Sequence, residues 1–319
     1  MTVRPYWIVL LCATACSPYN FQKEVSAFGG SVDQLSDAVV VGYSNLEGDR
    51  AGEAELQLIQ TRPMLDVAPE CAVPASTRTD FCGVFARRGR APEIFGSADE
   101  QTGRALALKV LSVLKDYADG IVAVTNAEDR TAYDKAVSQL SDAVGNITAA
   151  ANVAAPGAGV IAPDAINFAG WLVGTALDRQ RFDSLKRGVH AAQKPIHTIA
   201  TTLGTGLELI SDQRRRIIRK DIDDSVTPMG PPLSEADYRQ QLTDVETKFA
   251  ILNGLRRSDP AAAAESMAQA HDALVNAVDD PQRNYGNLLK ALSDFSQRAK
   301  ALRGALATAA KLGKSQKGN

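Results

Sequence analysis

From Phe21 onward, apolar residues recur in steps of three and four: Phe21, Val25, Phe28, Val32, Leu35, Val39, Tyr43 and Leu46. Steps of that size bring side chains onto one face of an α-helix, so the pattern predicts a long amphipathic helix. It runs to about Gln60 and stops before Pro63, since proline ends or kinks a helix. Forty or so residues at 1.5 Å each make a rod of about 60 Å, which predicts an elongated body. The period is lost across 63–98, where Pro63, Pro69, Pro74, Pro92 and Arg87-Arg88-Gly89-Arg90 fall. This stretch reads as a long connection with little regular structure. The helical period resumes over Asp99–Val124 through Leu106, Val110, Leu114, Tyr117 and Ile121, and again over 127–153 through Tyr133, Val137, Leu140, Val144 and Ile147. The short Thr125-Asn126 link predicts an antiparallel hairpin between the two. Residues 164–191 form the next expected helix. Pro195 suits the first helical position of another, ending near Asp224.

Pro228-Met229-Gly230-Pro231-Pro232 marks a break. Ser234 is a good N-cap for a helix through Tyr238, Leu242, Val245, Phe249 and Leu252. Asp259-Pro260 repeats the cap-then-proline start for a helix to about Val278. The last helix uses Leu288, Leu292, Phe295, Ala299, Leu302 and Leu306, and residues 311–319 read as a frayed basic tail. No strand run competes with these periods; the β-branched Val39-Val40-Val41 lies inside the first helical pattern. The expected fold is all-α, an elongated bundle of long antiparallel helices. A helical domain covers 21–227, and the helices of 228–310 pack on the same bundle.

Composition agrees with that architecture. Of 319 residues 45% are hydrophobic, 23% charged and only 6% aromatic, which favours helix-on-helix packing over a β-sandwich. The net charge of −2 provides no global attraction toward nucleic acid.

The first residues carry a different signal. Arg4 is followed by the uncharged run Tyr6–Ala13, of signal-peptide length and too short for the roughly 20 apolar residues a membrane-spanning helix needs. Small residues then precede a cysteine in Ala13-Thr14-Ala15-Cys16. This resembles the lipobox of bacterial lipoproteins, with alanine at 13 where leucine is usual. The resemblance implies a signal peptide over 1–15, a diacylglycerol on Cys16, and residues 16–20 as a lipidated tether. Several acyl chains at about 0.8 kcal/mol per buried CH₂ keep such a protein in a membrane. Cys12 is a poorer acceptor because bulky Leu11 precedes it. Ser17 after the cysteine implies, in a Gram-negative cell, the periplasmic face of the outer membrane. An ordinary A-x-A secretory site, with Cys16 merely the first mature residue, and an uncleaved anchor are the rival readings. After export Cys71 and Cys82 remain as an even pair, for which an oxidising compartment favours a disulfide. A loop this short is stabilised by about 3 kcal/mol in the chain-entropy model.

Candidate chemistry is sparse. Asn146–Leu177 reads NITAAANVAAPGAGVIAPDAINFAGWLVGTAL, with Asp164 its one charge. It is either a buried helix–loop–helix or an apolar hairpin able to meet a bilayer, with Ile161, Phe168 and Trp171 as contacts. The second arrangement loosely resembles the concealed hydrophobic tongue of helical pore-forming toxins. Gly157-Ala158-Gly159-Val160-Ile161-Ala162 matches G-x-G-x-x-A, but a dinucleotide site needs a strand before it, and Ala149–Ala155 is helical in character. Arg214, Arg215 and Arg216 head a basic cluster near a helix end, with Asp221, Asp223 and Asp224 to balance it or an anionic surface to contact. Asp221–Thr227 begins like a calcium loop but has Val226 and Pro232 where glycine and glutamate are needed. Ser112-Val113-Leu114-Lys115 has the S-x-x-K spacing of penicillin-recognising enzymes without their companion motifs. His190, His197 and His271 show no ligand spacing with the cysteines; His190 and His197 flank Pro195 at an expected helix junction. The expectation is a non-enzymatic, lipid-anchored envelope protein that needs no cofactor or metal and binds another envelope protein. A membrane-active bundle using 146–177 is the alternative, and an enzyme the third class.

Overall fold

Helix starts follow local capping chemistry. The computed structural model describes residues 22–61, 65–67, 84–86, 98–155, 177–226, 233–280 and 285–315. They form α1 (Gln22–Thr61), β1 (Leu65–Val67), β2 (Val84–Ala86), α2 (Ala98–Asn126), α3 (Arg130–Ala154), α4 (Leu177–Val226), α5 (Glu235–Arg257), α6 (Pro260–Asp279) and α7 (Gly286–Ser315). The carboxylate of Asp129 accepts the Ala132 N–H at 2.8 Å, and Ser234 Oγ accepts the Asp237 N–H at 3.2 Å. Asp259 accepts from Ala262 N at 3.0 Å, with Pro260 in the first turn. Each cap satisfies an N–H that the first turn leaves without a helical partner.

The all-α expectation holds. Apolar residues spaced on one face of α1, α2, α3, α6 and α7 enter one continuous core; Val25, Phe28, Val32, Leu35 and Val39 of α1 are all buried. Antiparallel packing covers α1 with α2 (Asp33 to Lys115 Nζ, 2.6 Å) and α4 with α6 (His197 Nε2 to Asp272, 2.8 Å; His190 Nε2 to Asp279, 3.0 Å). Two neighbouring pairs run parallel instead. Along α1 and α7, Phe28 lies beside Phe295, Asp37 pairs with Arg303 at 3.2 Å and Gly42 meets Leu306, all rising together. Along α3 and α4, Tyr133 Oη meets Ser184 Oγ at 2.7 Å, and Leu140 packs on Gly188.

Two glycines permit the close approach of α2, α3 and α4. A Cβ on Gly120 would lie 3.1 Å from the Leu140 Cα, and one on Gly188 would lie 2.8 Å from Leu140 Cδ2. Glycine lets helix backbones meet where any side chain would separate them.

Three sequence expectations are corrected. The expected junction at Pro195 does not exist: α4 is one helix of 50 residues with Pro195 inside it. Leu185, Val189, Ala192, Ile196, Ile199, Leu203 and Leu207 keep one buried stripe across the proline, so packing on both sides outweighs the lost hydrogen bond. The connection 63–98 holds a short antiparallel pair, with Leu65 opposite Ala86 and Val67 opposite Val84; periodicity cannot register three-residue strands. The helix expected to end before residue 311 continues to Ser315.

Candidate functional site: an exposed face on α5

The helix α5 carries the same apolar spacing as its buried counterparts but keeps it outside. Only Leu255 is buried along α5. Tyr238, Leu242 and Phe249 are 59%, 48% and 43% exposed, while Val245 and Leu252 are partly buried against the bundle. The reason lies in how α5 docks. Its inner side sets polar groups beside Val245, Ile251, Leu252 and Leu255, and the polar groups bond to the end of α4: Gln241 Nε2 donates to the Ser225 carbonyl, and Lys248 Nζ donates to Ser225 Oγ at 2.9 Å and to the Asp221 carbonyl at 3.3 Å. These contacts lie about one sixth of a helical turn to one side of the apolar seam and turn it outward. α5 thus packs on the bundle through Val245, Leu252 and Leu255 and leaves Tyr238, Leu242 and Phe249 exposed. Aromatic and leucine side chains aligned on an exposed face are characteristic of an interaction surface.

The arginines single out less than their spacing implied. Arg214 is 3% exposed and donates to the Ala309 carbonyl of α7; burial lowers its pKa from the usual guanidinium value. Arg215 is held by Glu208 at 2.8 Å and by Asp212. Arg216 is exposed. Of the three, Arg214 thus ties α4 to α7, Arg215 is balanced by acids of its own helix, and Arg216 faces outward.

The histidines sit on α4 and α6, not at a junction. His197 and His190 ladder up the α4–α6 seam with Asp272 and Asp279, and Lys186 joins Asp279 at 2.7 Å. The Lys186 hydrogen bond, with that from His190, holds the Asp279 carboxyl below its ordinary pKa. His271 lies underneath, buried against Phe28 and Tyr117, with its Nε2 2.7 Å from Tyr117 Oη. Burial pushes its pKa down to about 3 and raises that of Tyr117 well above the ordinary phenol value. The ring is therefore neutral at pH 7, a core hydrogen-bonding group.

Two concavities accompany the fold. A cavity of about 120 Å³ lies between α1, α2 and α4, lined by Val39, Tyr43, Val110, Leu203 and Leu207 among others. A shallower groove of about 640 Å³ follows the outer α4–α6 seam past His197, Glu208, Asp212 and Glu265. Neither brings together a nucleophile, a base and an oxyanion donor. Among the described residues no three His, Cys, Asp or Glu side chains are grouped to hold a metal ion.

Cys16, Cys71, Cys82, Ile161, Phe168 and Trp171 lie outside the described residues. Of the apolar segment 146–177, the described beginning completes α3 with Ile147, Thr148, Ala150 and Ala151 buried. No helix among the described residues is long and apolar enough to cross a membrane. The chain matches no family model, no curated protein and no solved structure. The class defined by fold and surface is an all-α helical bundle whose α5 leaves Tyr238, Leu242 and Phe249 exposed.

Proposed function

We propose that this protein is a lipid-anchored component of a bacterial cell envelope that acts as a non-enzymatic interaction module, with α5 as its contact face. The exposed seam of Tyr238, Leu242 and Phe249 carries the interaction part of this reading, because exposed apolar surface is retained where a partner covers it. The Ala13–Cys16 sequence supports the anchor. Cys16 stands six residues before α1 begins at Gln22, so a lipid there would hold the bundle close to the bilayer. A disulfide between Cys71 and Cys82 fits the same compartment. Both cysteines fall in the segment 68–83, which the pairing of Val67 with Val84 brackets.

Two experiments test the two parts. Radiolabelled palmitate should enter the wild-type chain and be absent from Cys16→Ala. Equal labelling of both, or none of either, refutes the anchor. Affinity capture of the full chain from detergent-solubilised envelopes should recover protein that a Leu242→Glu, Phe249→Glu variant does not. Identical recovery by both refutes α5 as the contact face.

A further inference from the structure

We infer that the face on α5 is self-complementary and packs antiparallel against α5 of a second copy of this chain. The inference rests on α5 being the interaction face and is independent of the lipid anchor. Spacing is the first argument. Tyr238, Leu242, Val245, Phe249 and Leu252 follow one another in steps of 4, 3, 4 and 3, the repeat by which one helix packs along another. Val245 and Leu252 spend the inner edge of that seam on the bundle, and Tyr238, Leu242 and Phe249 leave its outer edge exposed.

Charge decides orientation and partner. Glu235, Asp237, Asp244 and Glu246 occupy the first half of α5, interrupted by Arg239, which pairs with Glu235 at 2.6 Å. Arg256 and Arg257 close the second half, whose Lys248 is turned inward to α4. Two copies side by side in parallel would set acid against acid and base against base. Two copies related by a two-fold axis reverse direction, and each acidic half meets a basic half. With the axis between Val245 and Glu246, Leu242 faces the other copy's Phe249 and Glu235 faces its Arg256. The same operation repeats both pairs, so one short helix supplies two apolar contacts and two ion pairs.

Cross-linking of the full chain in detergent solution tests the inference. A copy carrying Leu242→Cys mixed with one carrying Phe249→Cys should give a disulfide-linked dimer on mild oxidation, above the background of the unsubstituted chain. Each variant alone should give much less, because its own pair lies farther from contact across the axis. Both positions are exposed, so neither substitution threatens the fold. By sedimentation, Leu242→Glu should weaken dimerisation at least about tenfold. Glu235→Arg should weaken it as well, and the double variant with Arg256→Glu should recover it. A wild-type chain that stays monomeric at about 100 μM, or a Leu242→Cys variant that cross-links alone as well as the mixture does, overturns the inference. Monomeric protein that still captures an envelope protein through α5 sinks the self-pairing and leaves the interaction reading standing. Failure of both capture and dimerisation removes both.

Discussion

Acidification from about pH 7.5 to about pH 5 should destabilise the bundle by about 2 kcal/mol through His271 alone. The ring is fully buried against Tyr117 from α2 and Phe28 from α1, with Phe295 from α7 packed on Phe28. Asp272 beside it and His197 and His190 on α4 are the charged and titratable groups that influence it. Nε2 meets Tyr117 Oη, and Nδ1 has no hydrogen-bond partner. A neutral ring needs only one N–H satisfied, and the Tyr117 contact can satisfy it. A second proton would leave an N–H buried without an acceptor. The folded pKa is thus depressed to about 3, from 6.5 in an exposed ring. The sign follows directly: below 6.5 the unfolded chain takes up a proton that the folded chain refuses. Stability from this group is complete above pH 6.5 and declines as pH falls, at about 1.4 kcal/mol per unit until the folded pKa is reached. Urea unfolding at the two pH values measures it, with a His271→Leu, Tyr117→Phe double variant removing both polar partners together. The wild type should lose about 2 kcal/mol more than the double variant over that interval. Equal losses in both proteins would refute the assignment of a buried neutral histidine.

Other substitutions probe the joints of the fold. Pro195→Ala should raise stability by about 1 kcal/mol in thermal unfolding, the recovered helix hydrogen bond exceeding the lost ring packing; a fall would show that the buried ring matters more. Gly120→Ala should cost more than Gly188→Ala, about 3 against about 1 kcal/mol, because the new Cβ meets Leu140 backbone in one case and the movable end of its side chain in the other. At Asp259, whose φ of 37° lies in the left-handed region, Ala should cost about 1–2 kcal/mol by losing the cap without relieving the strain. Gly at the same position should cost less, since it accepts that backbone geometry; chemical denaturation of the pair decides. Mass analysis of chain purified from an exporting cell should find Cys71 and Cys82 two hydrogens lighter before reduction than after, and an unchanged mass would refute the bridge.

Helical periodicity and caps were legible because both are local. A step of three or four places Val25, Phe28, Val32 and Leu35 on one face whatever surrounds it, and Asp129, Ser234 and Asp259 cap helices with atoms three residues away. The all-α class, the limits of α1, α2, α3, α5 and α6, and the core faces of α1 and α2 follow from such signals. Pro195 misled for the same reason. Its local preference for a helix start is real, yet the stripe from Leu185 to Leu207 is buried along its whole length, and many side chains together exceed one missing hydrogen bond.

The candidate site was hidden in the same way. By itself the sequence determined that Tyr238, Leu242, Val245, Phe249 and Leu252 share a helix face, since spacing alone decides that. Whether water or protein lies against that face depends on neighbours distant in the chain. Only the tertiary structure showed that Gln241 and Lys248 hold α5 to α4 and leave Tyr238, Leu242 and Phe249 of that face outside. It also turned Arg214 from an apparent surface cation into a buried donor to Ala309. Backbone geometry sets which residues point together, whereas burial is set by the sum of all surrounding elements, and no local pattern contains that sum.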